Sequence, residues 1–207
     1  MLVRALFVIS ILSVTAMGCS TVKTTRIDAA KPTDLSGQWN DTDARLTAEG
    51  MVKDCLEGRW AADFTVLNNR PPVVIVGSVK NKTYEHIASE VFVDSLQNAL
   101  IASGKVKFVA SKDERLEIRE ERKDQQDGNT QPETITLTGH ETGADYMLQG
   151  SINAMKDEIE EQRLMVGSKK STSFYQVSLE LINLKTNEKV WLGQKQVKKS
   201  VERSKVF

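Results

Sequence analysis

Val73-Val74-Ile75-Val76 follows Pro71-Pro72 as an unbroken β-branched run. That is the pattern of a strand covered on both faces, so layers must lie above and below it. Working outward, Ala44, Ala48, Met51, Val52 and Cys55 recur at helical spacing and predict a helix over 43–59, with Asp41 as its cap. On the other side, Ile87, Val91, Leu96 and Leu100 predict a buried helical stripe over 86–102, stopped by Gly104. A short strand is expected at 106–109. Ser111 and Glu114 then form a capping box opening a helix over 112–126, in which only Leu116 and Ile118 are apolar. Such a charge run reads as a solvated face.

After a loop at 127–137 and a short helical turn at Glu141–Ala144, the pattern changes period. Tyr146, Leu148, Gly150 and Ile152 alternate, as do Tyr175, Val177, Leu179 and Leu181 against Gln176, Ser178 and Glu180. Period two marks half-buried strands. Lys185-Thr186-Asn187-Glu188 is a turn, and a last strand carries Trp191. Strands are therefore expected near 73–79, 106–109, 146–156, 173–183 and 189–199. The final three form an antiparallel meander. The fold class is α/β, a small mixed sheet with helices packed on it.

The N-terminus reads as a targeting signal. Arg4 precedes an apolar run from Ala5 to Val14, and Ala16-Met17-Gly18 places small residues before Cys19. The run is too short for the roughly 20 residues of a membrane span. Residues 1–18 are thus a lipoprotein signal peptide, and Cys19 is the expected lipidation site. Ser20 follows the cysteine rather than Asp, which argues for export to the outer membrane. Removing 18 of the 207 residues leaves 189, divided into a tether over 19–40 and an α/β domain over 41–207. The tether, extended, reaches roughly 70 Å.

The composition excludes several functions. With 28 basic and 28 acidic residues, no net field recruits nucleic acid. After lipidation Cys55 is the one remaining thiol, on an apolar helical face, so it reads as a buried structural residue. His86 and His140 lack metal-ligand spacing, and no phosphate-binding loop or nucleophile motif is present. Neither a metal nor a cofactor is expected, and no catalytic residue stands out. Lys195, Lys198 and Lys199 form a basic group that reads as strand-edge protection. Asn81-Lys82-Thr83, at the end of the most apolar strand, is the candidate partner surface. Asn81 equally suits a turn bonded to its own backbone.

Four ordered stretches resemble the LpoB family, lipoprotein activators of bacterial penicillin-binding proteins. They are Leu35-Ser36-Gly37-Gln38-Trp39-Asn40-Asp41-Thr42-Asp43, Val76-Gly77-Ser78-Val79-Lys80-Asn81-Lys82-Thr83, Gly143-Ala144-Asp145-Tyr146-Met147-Leu148-Gln149-Gly150-Ser151-Ile152, and Leu179 through Trp191. The resemblance spans roughly 35–197. It implies a domain similar to the N-terminal domain of TolB, anchored in the outer membrane and facing the periplasm. It also implies a non-enzymatic role: docking on a class A penicillin-binding protein, a bifunctional peptidoglycan synthase, and stimulating it. Well-known members carry a long Pro-rich tether, whereas the tether here has only Pro32. Relatives of this fold also serve in flagellar and curli-export assemblies. The alternative reading is therefore a structural subunit of an envelope assembly, and an enzyme acting on the wall is a third.

Overall fold

The computed structural model describes residues 24–28, 31–34, 36–163 and 166–206. The chain divides into two units, Met1–Lys31 and Pro32–Phe207. The described residues of the first carry no helix or strand, and Cys19 with the expected signal peptide lies outside the described residues.

The second unit contains α1 (Asp41–Glu57), α2 (Trp60–Asn68), β1 (Val73–Lys82), α3 (Ser89–Ser103), β2 (Lys107–Phe108), α4 (Lys112–Asp124), β3 (Tyr146–Arg163), β4 (Val166–Asn183) and β5 (Lys189–Val206). The five strands form one mixed sheet in the order β2-β1-β3-β4-β5. β1 runs parallel to β2 and β3, and β3, β4 and β5 form the antiparallel meander.

Asn40, not Asp41, caps α1. Its Oδ1 accepts from the Asp43 N–H at 3.0 Å, and Asp43 Oδ2 accepts from the Asn40 N–H at 3.0 Å. Asp43 at N3 completes this reciprocal box, which an Asp41 cap could not form. Ala44, Ala48, Met51, Val52 and Cys55 are all buried, as the spacing predicts. In α3 the stripe is Phe92, Leu96 and Leu100 instead of one through Val91, which is half-exposed. Val91 stands five residues before Leu96, out of phase with 3.6, whereas Phe92 stands four before it. Helix α2 was not visible as a separate element, because Gly58 interrupts the chain only briefly. Trp60 anchors it by donating its indole N–H to the Cys55 carbonyl at 2.7 Å.

Val73 to Val76 are buried on both faces of the sheet. Tyr146, Leu148, Ile152, Tyr175, Val177, Leu179 and Leu181 join α1 and α3 in one core. The predicted turn at Glu141–Ala144 is irregular chain instead. Residues 125–129 form a single wide helical turn closed at Gly128, φ 87°, which straddles the expected end of the helix and start of the loop, and 132–134 form a 3-10 turn within that loop. Strands β3, β4 and β5 each run 18 residues, longer than their apolar alternation. Their distal parts carry exposed side chains such as Met155 and Ile159, so backbone pairing rather than burial defines them.

Candidate docking surface

β1 contains a register shift: Val76 opposes Leu148, and Val79 opposes Gly150. One extra residue between them flips the side-chain alternation. Beyond the bulge, Val79 faces the core, while Asn81, opposite buried Ile152, points to the same side of the strand but is exposed at its end. Ser78, Lys80 and Lys82 face the opposite side. The three residues of the candidate partner surface are therefore not equivalent.

Asn81 and Thr83 are turn-builders. Asn81 Nδ2 donates to the Glu85 carbonyl at 2.8 Å, and its Oδ1 accepts from the Thr83 N–H at 2.9 Å. Thr83 Oγ1 donates to the Glu85 carbonyl and accepts from the Glu85 N–H, both at 3.1 Å. This network aims the Glu85 carboxylate inward. Its Oε1 lies 2.6 Å from the Tyr175 hydroxyl, and its Oε2 accepts from the Trp39 N–H at 3.1 Å. Trp39 in turn packs edge-on against Phe92 and Tyr175. The turn thus locks the segment before α1 onto the sheet.

Lys82 is exposed and, like Lys80, has no ion pair among the described residues. Both line a concavity of about 610 Å³ on the sheet face turned away from α1 and α3, together with Gln149, Ser151, Ser178 and Gln194. Glu180 also lines it, but Lys189 and the Gln149 amide already occupy its oxygens at 2.6 and 2.8 Å. The floor therefore presents two free ammonium groups among neutral donors and acceptors. That arrangement suits an acidic partner surface.

The three lysines of β5 do not form one patch. Lys195 pairs with Asp54 at 2.7 Å. Lys199 is buried, pairing with Asp34 at 2.7 Å and with Asp43, and donating to the Gln38 carbonyl at 3.0 Å. Burial alone would depress its pKa, but the hydrogen bonds to Asp34 and Asp43 hold it above the ordinary lysine value. Lys198 alone faces the other side. Strand alternation separates them, although β5 is the sheet edge.

Cys55 is buried, and loss of hydration pushes its thiol up to about 12, which keeps it a thiol at physiological pH. Among the described residues, no group of three or more His, Cys, Asp or Glu could hold a metal ion, and no helix is long and apolar enough to cross a membrane.

The family model described as peptidoglycan-synthase activator LpoB matches residues 43–197. This chain belongs to the LpoB family. The matched span runs from Asp43 of the capping box to Val197 on β5, and so includes the bulge, the Asn81 turn and the meander as far as the first half of β5. Among solved structures, the LpoB C-terminal domain of Salmonella enterica is 19% identical, covering 75% of this chain and 98% of that one, with a TM-score of 0.40. The LpoB C-terminal domain of Escherichia coli is 17% identical over 72% of this chain and 97% of that one, with a TM-score of 0.37. Lipoprotein GNA1162 of Neisseria meningitidis is 11% identical over 63% and 84%, with a TM-score of 0.32. No curated protein matches. The LpoB family is named for activating a synthase, a regulatory rather than a catalytic role.

The sequence pointed to the Asn81-Lys82-Thr83 stretch but not to Lys80 or Glu85. Lys80 was hidden because the bulge upstream, which sets the sheet face that Lys80 and Lys82 share, is a tertiary feature. Glu85 is one acidic residue among 28 acidic positions, with no local pattern to mark it.

Proposed function

We propose that this LpoB-family chain is an outer-membrane lipoprotein, anchored through Cys19 and facing the periplasm. It docks on a class A penicillin-binding protein and stimulates glycan polymerisation and cross-linking without chemistry of its own. The family match over residues 43–197 carries this reading. Lys80 and Lys82 are the cations offered to the partner, and Asn81 and Thr83 hold their strand end in place. Activation by docking requires that the chain bind the active conformation of the synthase more tightly than the inactive one.

The test is capture of envelope proteins on the purified chain, followed by synthase assays. Recovery of a class A penicillin-binding protein, with a faster polymerisation rate on adding the chain, is the expected result. No recovered synthase together with an unchanged rate would overturn the proposal. The short tether with its single proline favours a second reading, a structural subunit of an envelope assembly. A deletion strain with normal wall synthesis but a lost surface organelle would select that reading.

A further inference from the structure

Four of the ten glutamines, Gln149, Gln176, Gln194 and Gln196, lie on one side of the sheet, the side turned away from α1 and α3. Strand register aligns them with serines and an asparagine. One row across the sheet reads Lys80, Ser151, Ser178, Gln194, and the next reads Lys82, Asn153, Gln176, Gln196. Past the two lysines on β1, these rows carry no charge. In a chain with 27% charged residues, an open sheet face ordinarily carries them. The ribbon further along β3 does so, at Lys156, Asp157, Glu158 and Glu160.

A carboxamide offers two donors and an acceptor without charge, and a hydroxyl also does both. Few of these groups are used. Gln149 Nε2 donates to Glu180 at 2.8 Å, Asn153 Nδ2 to Ser151 Oγ at 3.3 Å and Gln176 Nε2 to Ser178 Oγ at 3.5 Å. The amide oxygens of all three accept nothing among the described residues, and Gln194 and Gln196 have no side-chain hydrogen bond there. Gln149, Ser151, Ser178 and Gln194 line the concavity of about 610 Å³, and Leu192, 66% exposed, adds an apolar patch to it. The charge of Glu180, the one acid in the lining, is answered by Lys189. Four strands spaced about 4.8 Å apart make each row roughly 14 Å long.

We infer that this face of β3, β4 and β5 is a glycan-binding surface, taking a neutral oligosaccharide laid across the strands. Sugar hydroxyl and acetamido groups are uncharged donors and acceptors, which the carboxamides and serines match in kind. The C–H face of a sugar ring suits Leu192. An acidic protein surface is drawn to Lys80 and Lys82 but finds no cation in either row beyond β1. Those two lysines remain the synthase contacts. That the glycan is a peptidoglycan strand rests on the proposed function, whereas the carboxamide rows do not.

NMR titration of the full chain with chitotetraose, an oligomer of N-acetylglucosamine, tests this. The side-chain amide signals of Gln149, Gln176, Gln194 and Gln196 should shift saturably. Affinity should be the same at low and high salt, because no ion pair is involved. Gln194→Ala should weaken binding about tenfold through the lost hydrogen bonds of one side chain. Gln176→Ala, in the neighbouring row, should weaken it as well, which guards against a local defect in β5. No saturable shift at these side chains, binding unchanged in both variants, or binding lost at high salt would overturn the inference. The titration contains no synthase, so its failure leaves the proposed docking standing. Failed synthase capture by a chain that binds chitotetraose would overturn the docking alone.

Discussion

The Tyr175 hydroxyl lies 2.6 Å from Glu85 Oε1, joining the middle of β4 to the turn that follows β1. The same hydroxyl is 3.0 Å from the Gly37 carbonyl, so one phenol ties three remote segments together. Burial first, and then the Glu85 carboxylate, keep this phenol well above the ordinary tyrosine range. A raised folded-state value means that the contribution is fully present below about pH 10 and is lost as pH rises towards the folded value. Tyr175→Phe should cost about 1.5–3 kcal/mol at neutral pH, because it removes the charge-assisted hydrogen bond at Glu85 Oε1. Above pH 10 the gap between wild type and variant should narrow. Urea unfolding at pH 7 and pH 11 measures both effects, and a gap that widens at high pH would contradict the assignment.

Asp145 is a second staple. Its two oxygens accept from Arg70 at 2.7 Å each, and Oδ2 also accepts from the Val73 N–H at 2.8 Å. The Arg70 hydrogen bonds, more than any other cause, hold Asp145 below the usual carboxylate range. For a depressed carboxylate, the stability is present above about pH 4 and is lost as pH falls through the folded value. Asp145→Asn should therefore cost about 1–2 kcal/mol at pH 7, the lower end being apt because Arg70 is half-exposed. The cost should shrink on acidification below pH 4, as thermal melts at stepped pH would show.

Lys199→Met removes the cation between Asp34 and Asp43. Asp43 is buried, and leaving its charge uncompensated should cost about 3–5 kcal/mol. Lys199→Met with Asp43→Asn should recover part of the loss, since the stranded charge is then gone. A double variant no more stable than the single one would show that packing, not charge, dominates at this position.

Gly150 is required by close approach. A Cβ there would sit 2.1 Å from the Ser178 carbonyl oxygen on the paired strand. The strand cannot yield without breaking the ladder, so Gly150→Ala should cost about 3 kcal/mol, the upper end of the overpacking range. Denaturant midpoints measured beside Gly143→Ala, where a Cβ meets nothing within 4 Å, provide the control.

The turn after β1 separates architecture from docking. Asn81→Ala should cost about 1 kcal/mol through its lost side-chain hydrogen bonds. Lys82→Glu should leave the melting temperature unchanged, and together with Lys80→Glu it should weaken synthase binding more as salt is lowered. Equal binding by the double lysine variant at low salt would remove this concavity from the interface.

The amino-acid sequence by itself determined the elements whose identity depends on neighbours along the chain. Helical spacing marked the buried face of α1. The β-branched run at Val73–Val76 and the alternation at 146–152 and 175–181 marked strands and their buried sides. Ser111 and Glu114 marked the start of α4. These signals are local because hydrophobic period and capping are local. Tertiary structure decided what depends on pairing between distant segments. The bulge that turns Lys80 and Lys82 to one side exists only in register with β3. The distal parts of β3, β4 and β5 are held by backbone hydrogen bonds that carry no side-chain pattern. Lys199 looked like one of three surface lysines until strand alternation buried it against two aspartates. Arg119 on α4 found its acceptor only when Glu141, 22 residues away, was placed against it. A carboxylate or guanidinium takes its role from its partner's position in space, and that position is set by the whole sheet.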